Sequence, residues 1–487
     1  MNVGSVLDRA VTAVPDRTAL VDSGQHLSYA QLDQLADRCA AKLHRGGVRQ
    51  GDRVAVIGPG GAAAVAAIVG IARLGASSAQ MNPQLTAGEV RTLGEMTGVS
   101  AGFVGTAHAA RLRTAFQGPV VEAETVIAEG PDGPVVPRPG IDDDACGLIL
   151  FSSGTTGLPK PVLISHRTVA DRLNFYGAPI DAATEPPVDM MTVPLFHIGG
   201  CLGLLITMHS GKTMVMLPRF DAAAWLQMVE EHRVSQTFLV PTMLKRILDH
   251  PDFARRNLSS LRSISYGAAP ASPELIERAL SQLPGVDFTN VFGQTETLGA
   301  YAALSPADHR EGTKLDSVGR PFPGVELRVV DVETGENLGP GLVGEAVVRA
   351  AQNVTAGWLR TGDLVSLDRD GYIFIKGRVK DTINRGGEKF GPLEIEVVIA
   401  GLPGVEEVAV AGFPDNELGE RVAALIVANR RLGLEDVRTH CEQFLARFKV
   451  PEIIVFVDEL PVNEYGKIPR SAIVEVVRSR RTGAVPQ

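Results

Sequence analysis

The stretch Leu148-Ile-Leu-Phe-Ser-Ser-Gly-Thr-Thr-Gly-Leu-Pro-Lys160 carries the densest chemistry in the chain. Apolar residues give way to hydroxyls, glycines and a lysine. Gly154 and Gly157 let backbone N–H groups approach an anion closely. Ser152, Ser153, Thr155 and Thr156 add hydroxyl donors, and Lys160 adds a mobile positive charge. This is chemistry for holding a triphosphate. It is not the Walker loop, which ends in Gly-Lys-Ser/Thr; here Pro159 and Pro161 flank the lysine. Nor is it the Gly-x-Ser-x-Gly elbow of a serine hydrolase.

Such a loop needs a strand before it and a sheet to hold that strand. The pattern supplies both, because strand-like and helix-like runs alternate over the first 380 residues. Ser28 can cap a helix with apolar spacing at Leu32, Leu35 and Leu43. Strands are predicted at 53–57, 213–217 and 236–240, and helices at 62–74 and 220–232. Alternation of this kind predicts layered α/β structure with parallel sheets. After about Gly324 the pattern changes to short strands at 325–332, 344–349 and 371–376, a small barrel or a distorted sheet. A third block begins near Lys380, with strands at 405–413 and 452–457 and helices at 434–448 and 471–479. Residues 129–140, rich in Pro and Gly, read as a surface loop.

A length of 487 residues predicts two or three compact units. With 45% hydrophobic and 21% charged residues, a mostly disordered chain is excluded. The net charge of −9 gives no bulk electrostatic case for nucleic-acid binding. Cys39, Cys146, Cys201 and Cys441 are scattered, with no zinc spacing and no disulfide framework, as in a reducing compartment. The N-terminus has no basic segment followed by an apolar one. The apolar segment 62–76 is broken by Gly70, Arg73 and Gly75, so it reads as a buried helix and not a membrane span. A cytoplasmic enzyme is expected.

Phe151-Ser-Ser-Gly-Thr-Thr-Gly-Leu-Pro-Lys160 resembles the nucleotide loop of the acyl-adenylate-forming, AMP-binding enzymes, among them acyl-CoA synthetases, and further motifs follow in the family order over nearly the whole chain. The family usually has Gly after the lysine; Pro161 stands here, which stiffens the loop and removes one backbone donor. Phe292-Gly-Gln-Thr-Glu296 resembles the family's Tyr-Gly-x-Thr-Glu motif. It implies Thr295 on the α-phosphate, Glu296 on Mg²⁺ together with Thr155, and Phe292, Gly293 and Gln294 beside the adenine. Tyr266-Gly-Ala-Ala-Pro270 resembles the segment passing along the adenine and acyl group, through Gly267, Ala268 and Ala269. Arg360-Thr-Gly-Asp-Leu364 matches the family's Thr-Gly-Asp, so Asp363 would accept from the ribose hydroxyls. Arg378 of Gly377-Arg-Val-Lys-Asp381 would contact ribose or phosphate, and Lys380 falls at the family's hinge. Gly386 and Gly387 would line a thiol channel. Lys467 of Gly466-Lys-Ile would stabilise charge between the substrate carboxylate and the α-phosphate.

The resemblance implies a large N-terminal α/β domain, 1–379, with a barrel-like β subdomain at about 324–379, and a small mobile α+β domain, 380–487. It implies ATP-dependent activation of a carboxylic acid to an acyl adenylate, then transfer to a thiol, foremost coenzyme A. A carrier protein or a non-thiol acceptor is the alternative, and a silent nucleotide-binding protein is the rival of another class. Pocket residues would be His197, Gly200, Thr242, Tyr266 and Gly299. Those segments hold no acid to pair with a substrate ammonium, apart from Glu296, so a non-amino acid with an apolar chain or ring is expected. An inward-pointing Arg246 would instead suit a malonate-type second carboxylate. The state expected is a monomer or homodimer with no membrane span.

Overall fold

The computed structural model describes residues 1–58, 60–128, 138–152, 159–177, 180–461 and 468–482. Most of the surface loop expected at 129–140 therefore lies outside the described residues. The chain divides into two compact units, one of Met1–Val325 with Arg349–Leu359, the other of Glu326–Val348 with Arg360–Gln487.

The first unit is built on a nine-stranded and a six-stranded sheet among the described residues. In the larger sheet six neighbouring strands run parallel, in the order Asp287–Gln294, Ser263–Gly267, Gln236–Leu239, Val188–Met191, Thr213–Met216 and Thr18–Asp22. Antiparallel strands close both ends, Gly299–Leu304 and Arg320–Pro321 on one side and Gln25–Ser28 on the other. The smaller sheet ends in the strand Cys146–Ser152, parallel to Ser77–Met81, followed by the antiparallel edge strand Lys160–Ser165.

Helix Gly61–Arg73 fills the space between these sheets and touches strands of both. All of its side chains are buried, as its uniformly apolar and Ala-rich sequence requires. It crosses helix Tyr29–Arg45 at Gly70, where a Cβ would come within 2.5 Å of the Ala36 carbonyl oxygen. Arg73, at the end of this apolar helix, pairs with Asp33 and Asp37. Ser28 caps Tyr29–Arg45 as expected, accepting from the Gln31 N–H at 3.2 Å while the Gln31 side chain accepts from Ser28 N–H. No helix of the described residues is long and apolar enough to cross a membrane.

The second unit holds a four-stranded sheet, Glu326–Val330, Gly344–Arg349, Leu359–Leu367 and Ile373–Arg378 in spatial order. It also holds a five-stranded sheet centred on Gly419–Ala428, flanked by helices Pro392–Ala400, Leu434–Phe444 and Arg470–Thr482. Four of these strands, Leu359–Leu367, Ile383–Arg385, Glu388–Phe390 and Gly419–Ala428, lie outside the strands expected from sequence. The helix expected over 434–448 stops at Phe444, because Leu445 is extended and a short 3-10 turn, Arg447–Lys449, follows.

Candidate active site

The carboxyl ends of four adjacent parallel strands converge on one edge of the large sheet. Val188–Met191 leads toward His197 and Gly200; Gln236–Leu239 leads to Thr242; Ser263–Gly267 leads to Ala268 and Ala269; Asp287–Gln294 leads to Thr295 and Glu296. Segments a hundred residues apart in sequence are thereby neighbours. This is where ligands of open α/β sheets bind.

The backbone at this edge is unusual. Ala268 has φ +66° and Leu298 φ +46°, two of the four described non-glycine residues in the left-handed region. Such conformations cost about 1–3 kcal/mol and collect at functional sites. Gly267 is demanded by the sheet itself, since a Cβ would strike the Val291 carbonyl oxygen. Gly200 is buried, and a Cβ there would strike the Pro194 carbonyl. Gly299, with φ +88°, lies against Leu202 of helix Ile198–His209. That helix also carries Cys201, whose thiol burial pushes up to about 12, which removes it as a nucleophile at neutral pH.

The Thr-Glu motif forms a 3-10 turn, Thr295–Thr297, between two antiparallel strands. Thr297 anchors it. Its hydroxyl is fully buried, accepts from Gln294 N–H at 3.0 Å and lies 2.7 Å from the Gly299 carbonyl, to which it donates. Val354 N–H donates to the Glu296 carbonyl at 3.0 Å. Thr295 and Glu296 are left half-buried with their side chains at the sheet edge. Gln294 Nε2 is buried without a partner among the described residues. A donor orphaned in this way fits an acceptor brought by a ligand. Phe292 packs edge-on against Tyr301, ring centroids 5.2 Å apart.

Of the phosphate loop, Ser152 and Lys160 are directly opposed across the antiparallel pair, Ser152 half-buried and Lys160 exposed. Ser153, Gly154, Thr155, Thr156 and Gly157 lie outside the described residues, as does Lys467. Strand Cys146–Ser152, which leads into the phosphate loop, lies beside the Thr295–Thr297 turn. Tyr266 is fully buried and its hydroxyl donates to His309 Nε2 at 2.9 Å, while His309 Nδ1 donates to the Ser305 carbonyl at 2.8 Å. Its ring thus faces the protein interior. Burial lowers the His309 pKa and raises that of Tyr266. Thr242 is exposed on the first turn of helix Pro241–Leu248. Arg246 on the same helix is also exposed, in a surface depression with Phe220, Asp249 and His250.

The AMP-binding enzyme family matches residues 7–359, and the AMP-binding enzyme C-terminal domain matches residues 394–467. The chain belongs to the AMP-binding enzymes. It is 33% identical to a fatty acid–[acyl-carrier-protein] ligase of Streptomyces coeruleorubidus, over 94% of this chain and 92% of that protein. It is 32% identical to an indoleacetate–CoA ligase of Aromatoleum aromaticum, over 99% of both. Its structure resembles that of the o-succinylbenzoate CoA synthetase of Bacillus subtilis, solved with its acyl-adenylate intermediate. The TM-score is 0.83 at 27% identity, over 97% of each chain.

In the second unit of this AMP-binding enzyme, Asp363 and Arg378 face each other across adjacent strands, Arg378 Nε 2.8 Å from Asp363 Oδ1. Gly362, with φ +73°, turns the backbone just before Asp363. Glu345 organises this turn. Almost fully buried, it pairs with Arg360 and accepts from Gly362 N–H at 3.0 Å. Thr361 Oγ1 accepts from Asp363 N–H at 3.1 Å and donates to the Ala346 carbonyl at 2.8 Å. Sequence reasoning passed over Glu345; its one signal is an acid at the start of an otherwise apolar strand. Lys380 is exposed in the short turn Val379–Asp381, directly after the strand carrying Arg378. Gly386 and Gly387, at φ +60° and +93°, form the two-residue turn between strands Ile383–Arg385 and Glu388–Phe390. Two consecutive positive φ values are what such a hairpin demands, and glycine supplies them without strain.

Proposed function

We propose that the protein uses ATP to activate a non-amino carboxylic acid and then passes the acyl group to coenzyme A, as an AMP-forming acid–thiol ligase. The observation that carries this reading is that the Thr-Glu turn and the Gly267–Ala269 segment meet at one edge of the large sheet, and that the strand leading into the phosphate loop, from the smaller sheet, packs beside that turn. Gln294 adds an orphaned buried donor there.

In the first half-reaction a substrate carboxylate oxygen attacks the α-phosphorus of ATP. The bond to the bridging oxygen breaks, and pyrophosphate leaves. In-line displacement of this kind asks for positioning and charge neutralisation more than for acid–base work. The loop from Ser152 to Lys160 holds phosphate oxygens, Thr295 the α-phosphate, and Asp363 with Arg378 the ribose. Lys467 stabilises the charge that builds between carboxylate and phosphate. Among the described residues no cluster of three metal-ligating side chains exists. One carboxylate, Glu296, fits Mg²⁺, which takes few protein ligands and completes its shell with phosphates and water. Thr155 would assist, and the ion would neutralise phosphate charge. In the second half-reaction the C-terminal part turns about Lys380 and the Gly386–Gly387 turn lines the thiol path. The thiol then attacks the acyl carbonyl and AMP leaves. Four free cysteines, three of them buried, suit a cytoplasmic setting.

A carrier-protein thiol is the second reading for the acceptor, favoured by the 33% identity to an acyl-carrier-protein ligase. For the acid, the exposure of Arg246 supports an apolar substrate over a malonate-type one. The test is pyrophosphate release with octanoate, benzoate, cinnamate, malonate and leucine at equal concentration, each with coenzyme A, a holo-carrier protein or neither. An apolar acid should lead, and coenzyme A should raise turnover. Leucine leading would sink the argument from the missing acid, and no release with any acid would sink the adenylation itself.

A further inference from the structure

Arg172 is a buried cation whose partners are all neutral. It sits on helix His166–Tyr176, which follows directly from the strand leading out of the phosphate loop. The residue is 1% exposed. Nη1 donates to Gln352 Oε1 at 3.0 Å, Nη2 donates to the Tyr176 hydroxyl at 2.9 Å, and Nη2 also donates to the Ala300 carbonyl. Gln352 Nε2 donates to the same carbonyl at 3.1 Å. The guanidinium lies against the rings of Tyr176 and Phe175, 4.7 and 5.2 Å from their centroids. No carboxylate among the described residues pairs with it, and its Nε has no partner there. A lone surface arginine costs nothing to keep; an arginine buried without a counter-ion is expensive and persists only where its geometry is needed.

What it holds is the wall after the Thr-Glu turn. Ala300 pairs with Gly293, and the next pair is Ala302 with Phe292, so Tyr301 is an extra residue in that strand. A bulge of this type weakens the ladder locally and re-aims the chain. Arg172 and Gln352 clamp the Ala300 carbonyl at that step. Gly299, next to it, faces Leu202 on helix Ile198–His209, so that a Cβ there would come 3.0 Å from the Leu202 side chain. We infer that Arg172 is a positioning residue which, through the Ala300 carbonyl, sets the Gly299–Ala300 wall and so determines which acids the enzyme accepts. This rests on the acid-activating function proposed above.

Lysine keeps the charge but cannot bridge three acceptors in one plane. The experiment measures pyrophosphate release by wild type, Arg172→Lys and Gln352→Ala, titrating benzoate, octanoate and ATP separately. For Arg172→Lys the KM for acid should rise about 10-fold, on the scale of one charge-assisted hydrogen bond. The benzoate-to-octanoate ratio of kcat/KM should shift by a similar factor, with the KM for ATP within about 2-fold of wild type. Gln352→Ala should move the same ratio in the same direction by less. Equal loss for both acids and ATP would reduce Arg172 to a general structural residue, and an unchanged ratio in both variants would overturn the inference. If Arg172→Lys does not fold, the Gln352→Ala ratio decides. A wild type that activates no acid refutes the proposed function instead, before either variant is compared.

Discussion

Thr297→Val is the sharpest probe of the site, because it removes one buried hydroxyl and almost no volume. That hydroxyl accepts from Gln294 N–H and donates to the Gly299 carbonyl, two part-buried bonds at the two ends of the turn. Valine leaves both unsatisfied. Each orphaned group costs about 1–3 kcal/mol, so the variant should lose roughly 2–6 kcal/mol of local stability. The turn is short and its exit residue Leu298 is already in the left-handed region. The cheapest relief is therefore for the turn to open, which displaces Thr295 and Glu296 without unfolding the sheet. If about 3 kcal/mol of that appears at the site, adenylation should fall about 100-fold in kcat/KM. The Mg²⁺ concentration needed for half-maximal rate should rise with it. The assay is pyrophosphate release across a Mg²⁺ titration, with thermal melting in parallel and Thr297→Ser as the control that restores the hydroxyl. Wild-type rate and Mg²⁺ dependence in the valine variant would show that the turn does not depend on this bond. Failure of serine to recover most of the rate would show that methyl packing, and not the hydroxyl, is what matters.

Three further outcomes follow from the same reading. Lys467→Ala should slow adenylate formation by about 10²–10³-fold, the scale for one preorganised charge-stabilising donor. Transfer from a chemically supplied acyl adenylate to coenzyme A should be largely spared, and equal loss in both steps would refute the role. Lys380→Pro should leave adenylation intact and sharply reduce thioester formation, since fixing φ opposes rotation at that residue; wild-type rates in both steps would place the hinge elsewhere. His309 is held neutral by burial, its pKa below the ordinary value of 6.5. Above 6.5 it costs nothing; as pH falls below 6.5 the unfolded chain binds a proton that the folded one does not, so stability declines. Melting temperature should drop as pH falls below about 6.5, with a shallower slope in His309→Gln, and identical slopes would exclude His309 as the cause.

The parts of the fold that were legible in the sequence are those where one residue's own chemistry decides. Ser28 caps its helix, and the uniformly apolar segment 61–73 becomes a helix buried on every side. The motifs at the candidate site also fell at strand ends, as their composition implied. What escaped depended on partners distant in sequence. Arg167 and Arg172 share one helix and look alike as letters, yet the first is about half exposed and the second is enclosed by Gln352 and Ala300. Thr297 is the exception, since its partners Gln294 and Gly299 are three and two residues away, and what its letter does not show is the turn that folds them onto its hydroxyl. The Gly386–Gly387 pair suggests close passage of a narrow chain by residue type alone, and the tight hairpin that both its positive backbone angles serve shows only in the fold. Strand Gly419–Ala428 has a continuous apolar run at its centre, and only its pairing on both sides distinguishes it from a buried helix.

Pro161 departs from the family's glycine beside the phosphate loop, and it falls on the outermost strand of the six-stranded sheet. The register runs through it without a slip from Leu148 to Ser152. An outer strand is a template on which another chain can polymerise, the more so when it displays an apolar side chain such as the exposed Leu163. A proline there deletes one rung of that template, and the neighbouring Lys160 adds charge repulsion between copies. A proline at this place therefore also makes the open edge a poorer template for pairing with another copy.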